Sequence, residues 1–146
     1  MVTRNGHCMC GAVNFTATGV SSEFGACYCD MCRRWNGDRF VGVHVPFGAM
    51  QIDGADQITT HKSSDWAERS FCKNCGSNLW YRLTDGPDAG NYSVALGLID
   101  DVTGMTLARE FFVDRKDCLF DLPEGRIQMT TADIHAKYGL SEEASK

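Results

Sequence analysis

Short runs in which apolar and polar residues partly alternate, cut repeatedly by glycine, set the character of this chain. Ala12 to Ala17, Arg39 to Val45, Ser77 to Arg82, Tyr92 to Leu98 and Glu110 to Val113 are rich in β-branched or aromatic residues. Their partial two-residue period is the one with which side chains leave opposite faces of a strand. A mainly β fold is therefore predicted, with antiparallel pairing. Turn signals at Asp53-Gly54, Asp85-Gly86-Pro87 and Glu124-Gly125, among fifteen glycines in all, favour a sandwich or folded sheet over alternating strand and helix units. One helix is expected near the end. Thr130 and Asp133 have the spacing of an acidic capping box, and Gly139 stands where such a helix would stop. Ser141 to Lys146 read as a frayed tail.

Composition narrows the class. A chain of 146 residues that is 43% hydrophobic suits a single domain, 1–146, able to bury a core of its own. A net charge of -5 argues against a nucleic-acid or anionic-membrane surface, which needs a concentrated basic stripe that Arg33-Arg34 is too short to supply. No apolar run approaches the roughly 20 residues of a membrane helix. The opening residues Met1 to His7 lack an apolar signal core, so a reducing, cytoplasmic setting is expected.

The cysteines alter the picture most. Seven of eight fall in three tight clusters: Cys8 and Cys10; Cys27, Cys29 and Cys32; Cys72 and Cys75. A structural zinc takes four protein ligands, whereas a zinc that does chemistry keeps one position open. Seven divides into four plus three. Cysteines one or two residues apart suit a chelate better than disulfides, whose geometry needs separated partners, and no cluster repeats a ferredoxin spacing.

Cys8-x-Cys10-Gly11 leads into one predicted strand, and Cys72-x-x-Cys75-Gly76 joins a strand-like run ending at Phe71 to another. Two such turns can meet across a sheet, and a zinc held by all four cysteines would then close a long loop and turn binding energy into folding energy. Gly11 and Gly76 fit turns that need a positive φ, although ordinary turn glycines read the same way. The Cys27, Cys29, Cys32 cluster has no fourth cysteine nearby in sequence, which leaves an open vertex. Cys118, His44 or His61 closing that vertex is the structural alternative, and a triplet giving only one or two sulfurs to a mixed cluster is another.

Cys8 to Phe15, Cys27 to Gly37 and Arg69 to Leu79, continuing through Val94 to Asp101 and Phe112 to Lys116, resemble the glutathione-dependent formaldehyde-activating enzyme family, whose domain also occurs in centromere protein V. The likeness covers roughly residues 4 to 122. It implies a β-tent fold of folded antiparallel sheets, a structural zinc on Cys8, Cys10, Cys72 and Cys75, and a catalytic zinc on Cys27, Cys29 and Cys32. It further implies a carbon-sulfur lyase that joins a glutathione-like thiol to formaldehyde or another small aldehyde. On that reading Arg33 and Arg34 could clamp glutathione carboxylates, though an exposed charge pair is their commoner meaning. Trp35, Asn36 and Gly37 could wall the pocket, or Trp35 could be core. Cys118 reads as an idle or buried thiol. Relatives often carry a histidine before Phe-Val-Asp and a tryptophan soon after the following lysine, where this chain has Glu110 to Lys116 followed by Asp117-Cys118-Leu119, so a different substrate pocket is expected. A non-catalytic zinc module for a protein partner is the competing class, and oligomeric state is not readable.

Overall fold

The computed structural model describes residues 2–117 and 121–139, so the readings of Cys118 and of the 141–146 tail lie outside the described residues. Residues 1–116 form one compact unit and 117–146 another. The first holds ten strands: β1 (Val2–His7), β2 (Asn14–Val20), β3 (Glu23–Cys27), β4 (Phe40–Val45), β5 (Met50–Asp53), β6 (Ile58–Ser64), β7 (Ala67–Cys72), β8 (Asn78–Leu83), β9 (Tyr92–Ala95) and β10 (Thr106–Phe111). A short helix, α1 (Asp30–Asn36), follows β3.

The strands make a three-stranded sheet, β1-β2-β5, and a seven-stranded sheet, β10-β3-β4-β9-β8-β7-β6. The expected mainly β, folded antiparallel architecture is present, with one departure: β10 lies parallel to β3. A parallel pair needs a long crossover, and the 78 residues between β3 and β10 supply it with the rest of the sheet. The predicted strand from Tyr92 to Leu98 ends at Ala95 and becomes a 3-10 turn, Leu96–Leu98. The run from Glu110 to Val113 is the tail of β10, broken where Phe112 adopts φ 59.

Strand parity divides the large sheet. Along β4, Val43 and Val45 enter the core with Phe15, Ala17, Val20, Leu79, Trp80 and Val94, while Phe40, Gly42 and His44 line a cleft on the other face. The same alternation puts Trp80 and Val94 in the core and Tyr81 and Ser93 on the cleft. Trp80 packs edge-on against Phe15 of β2, ring centres 6.0 Å apart, which ties the two sheets together.

In the second unit, α2 (Thr131–Tyr138) has the expected capping box between Thr130 and Asp133 and ends at Gly139 in the left-handed conformation. No described helix is long and apolar enough to cross a membrane.

Candidate metal centres and the adjoining cleft

The four-cysteine group is assembled by two turns. Cys8 lies just after β1, and Cys72 ends β7. In each turn the first cysteine donates its backbone N–H beyond the last: Cys8 to Val13 O and Cys72 to Ser77 O, both at 2.9 Å. Gly11 and Gly76 close the turns by donating to Cys8 O and Cys72 O, at 3.0 and 2.8 Å. Both have φ 78, so the positive φ expected at these two glycines is what the turns use. A third segment clamps the pair. Gly54 packs on the carbonyl of Ala12, and Gln57 O accepts from Lys73 N at 2.9 Å.

The sulfurs of Cys8, Cys10, Cys72 and Cys75 all lie within 4.8 Å of one another. Cys8 Sγ and Cys10 Sγ are 3.6 Å apart, and Cys10 Sγ and Cys72 Sγ 3.9 Å. A tetrahedron with zinc–sulfur bonds of about 2.3 Å has an edge of about 3.8 Å, so the donor set matches the ion in kind and spacing. Val13 N donates to Cys8 Sγ at 3.3 Å and Asn74 Nδ2 to Cys10 Sγ at 3.2 Å. Ser77 Oγ stands 3.2 Å from Cys75 Sγ, and that hydrogen bond foremost lowers the Cys75 thiol to about 5. Donors of this kind spread the charge that four thiolates carry.

Cys27, Cys29 and Cys32 form the second group, again with all sulfurs within 4.8 Å. Their arrangement is local: Cys27 ends β3, Cys29 caps α1 with its sulfur accepting from Cys32 N at 3.4 Å, and Cys32 sits in the first turn. Among the described residues neither His44 nor His61 joins the group. The hydrogen bond between Cys27 and Cys32 acts on the two thiols in opposite directions. It lowers Cys27 to about 6 and raises Cys32.

Around the triad stands an aromatic wall. Trp35 stacks on Phe40 at 5.4 Å, and Phe40 meets Tyr81 edge-on at 5.6 Å. Arg69 of β7 fills the gap. It is 7% exposed and donates from both Nη atoms to Cys32 Sγ, at 3.6 Å each. Its guanidinium carbon lies 4.9 Å from the Trp35 ring centre and 5.3 Å from that of Tyr81. Asn78 Nδ2 holds the end of α1 by donating to Trp35 O at 3.1 Å.

Cys27 reaches the lining of a cleft of about 770 Å³ on the solvent face of the large sheet. Phe40 and Phe111, the register partners of Cys27 on β4 and β10, flank it. Polar groups further along include Tyr81, Ser93, His44, Asp88 and an Arg109–Glu23 ion pair at 3.2 Å. Of the segment named from sequence, Trp35 packs on the triad. Arg33 is half-buried, whereas Arg34, Asn36 and Gly37 are exposed, and the cleft lining contains none of these five. Arg69 and the cleft residues were not picked out from sequence. The one available signal was that Arg69 shares strand parity with Ala67 and Phe71, opposite to Glu68 and Ser70.

Residues 3–115 match the family model described as glutathione-dependent formaldehyde-activating enzyme. A Schizosaccharomyces pombe protein named as an uncharacterized lyase is 28% identical over 132 residues, 88% of this chain and 92% of its own length. A Halomonas elongata protein named as a putative glutathione-dependent formaldehyde-activating enzyme is 30% identical over 83 residues, 51% of this chain and 53% of that one. A crystal structure of a Rhodobacter sphaeroides protein superposes with a TM-score of 0.58 at 19% identity, covering 73% of this chain and 98% of that one. It shares the fold.

Proposed function

The chain belongs to the glutathione-dependent formaldehyde-activating enzyme family, and from that premise we propose that it is a zinc-dependent carbon-sulfur lyase. It joins a glutathione-like thiol to formaldehyde or another small aldehyde, and splits the adduct in reverse. The observation that carries this reading is the convergence of the Cys27, Cys29 and Cys32 sulfurs, with Cys27 on the lining of a cleft of about 770 Å³. Bound there, a zinc ion would supply the Lewis acidity that keeps a thiol, with a pKa in water of about 8.5, deprotonated at neutral pH.

The chain's own residues do the rest. Cys27, Cys29 and Cys32 present three sulfurs and leave the cleft side for substrate. Phe40 and Phe111, register partners of Cys27, give the cleft beside it apolar walls. In the addition, a sulfur electron pair forms the new C–S bond, the carbonyl π pair moves to oxygen, and the proton given up by the thiol returns to that oxygen. Thiol and aldehyde thus sum to the hemithioacetal without redox change. Tyr81 and Ser93, register partners on the cleft face, supply hydroxyls for the developing alkoxide. Burial foremost pushes the Tyr81 phenol up, so it stays protonated as a donor. Arg109 is the cation on the lining suited to a substrate carboxylate. The four-cysteine group holds a second, structural zinc.

Exchange of ¹³C-formaldehyde with glutathione, followed by NMR on protein holding two zincs, tests the reading. Exchange faster than without protein, lost in Cys29→Ser together with one zinc, is expected. Exchange at the uncatalysed rate with both zincs present would sink it.

A further inference from the structure

Three thiolates around a divalent cation leave one net negative charge, and a fourth thiolate makes two. In a site half shut off from water that repulsion favours a neutral fourth ligand, the wrong preference for a centre that must take up a thiolate. The chain carries a group that reverses it. Arg69 is nine-tenths buried, its Nε has no hydrogen-bond partner, and among the described residues no carboxylate pairs with it. A buried cation without an opposite charge is strongly destabilising, and the anions it faces are the cysteine sulfurs, through the two contacts to Cys32 Sγ. Trp35 and Tyr81 hold its planar head from two sides, a fit that an ammonium group does not reproduce. The in-register pairing of Arg69 with Tyr81, and of Tyr81 with Ser93, fixes its place on the cleft side of the sheet.

We propose that Arg69 is the fixed counter-charge of the three-cysteine site, biasing its open position towards an anionic, thiolate ligand. Arg69 is a positioning residue: it acts through Cys32 and the local field. The proposal rests on the reading of the triad as an open metal site, and the test separates the two.

Protein loaded with Co²⁺ at both sites is titrated with 2-mercaptoethanol, following the sulfur-to-cobalt charge-transfer band, and separately with azide and imidazole. In the unaltered protein azide is expected to bind at least as tightly as imidazole. In Arg69→Met, thiol affinity should fall by about tenfold or more and the azide preference should invert, while Arg69→Lys, which keeps the charge but not the planar contacts, should restore the azide preference and part of the thiol affinity. A purely structural role would lower thermal stability in both variants without changing the anion-to-neutral ratio. Imidazole preferred over azide in the unaltered protein would overturn the proposal even if Arg69→Met fails to fold. So would a folded Arg69→Met with unaltered thiol affinity and two cobalts. One cobalt per chain in the unaltered protein would instead overturn the open-site reading, and the proposal with it.

Discussion

Cys10→Ser is the cleanest way to ask how much the four-cysteine group contributes to folding. Cys8 and Cys72 are fully buried in the core, so serine there would disturb packing as well as ligation, whereas Cys10 is exposed. Its sulfur meets Cys8 Sγ, Cys72 Sγ and the side chain of Asn74, and nothing apolar depends on it. A metal bridging Cys10 and Cys72 closes a loop of 62 residues. Treated as a cross-link, that closure removes about 4 kcal/mol of chain entropy from the unfolded state, a large share of the 5–15 kcal/mol by which domains are typically stable. For a unit of this size the loss corresponds to a fall in Tm of about 10–20 °C. Calorimetry on zinc-replete protein, with metal content measured on the same sample, reads it directly. The reference is the unaltered protein with excess chelator, which should melt at a similarly low temperature. A Cys10→Ser protein melting within about 2 °C of the unaltered one would refute the reasoning.

Further outcomes follow from the same geometry. Cys27→Ser, Cys29→Ser and Cys32→Ser should each return thiol–aldehyde exchange to the uncatalysed rate and release one zinc, with Tm shifts smaller than that of Cys10→Ser; exchange rates and elemental analysis beside a melt check it. Gly54→Ala places a Cβ 1.9 Å from Ala12 O at a residue with φ 83, costing roughly 2–4 kcal/mol, and chelator should strip zinc from the variant faster. Thr130→Ala should cost α2 about 1 kcal/mol through the lost cap, visible as weakened hydrogen-exchange protection at Ile134. The hydrogen bonds from Thr130 hold the Asp133 carboxyl below its ordinary 3.8. The cap is therefore complete above the usual carboxylate range and fails as pH falls below it, which the Thr130 amide shift should follow.

What could be read before the structure, and what could not, divides by range along the chain. The cysteine groups were legible because a chelate draws ligands from adjacent positions, so Cys27, Cys29 and Cys32 announce themselves within six residues. The meeting of Cys8-Cys10 with Cys72-Cys75 followed from ligand arithmetic and is what the folded chain displays. Helix α1 went unread because seven residues are too few for a helical period to emerge, and its cap is a cysteine. β1, β3, β5 and β6 are short or polar, and their strand character comes from neighbours: β6 has no fully buried residue and exists as the edge partner of β7. The cleft was invisible for a stronger reason. Cys27, Phe40, Tyr81, Ser93 and Phe111 come from five strands that only the sheet order brings together. Arg69 was not singled out because its partner Trp35 arrives from α1, a helix that the sequence did not announce.

The two-faced large sheet bears on how such a protein changes over time. Val43 and Val94 hold the fold from one side, while Gly42, Ser93 and their neighbours shape the cleft from the other, and adjacent residues on one strand serve the two purposes in turn. A substitution on the cleft face leaves the interior untouched, and the two cysteine turns brace the strand ends from the core side, where Cys8 and Cys72 are buried. On the proposed function, a change of substrate would therefore need only single substitutions on the cleft face, with the core left as it is.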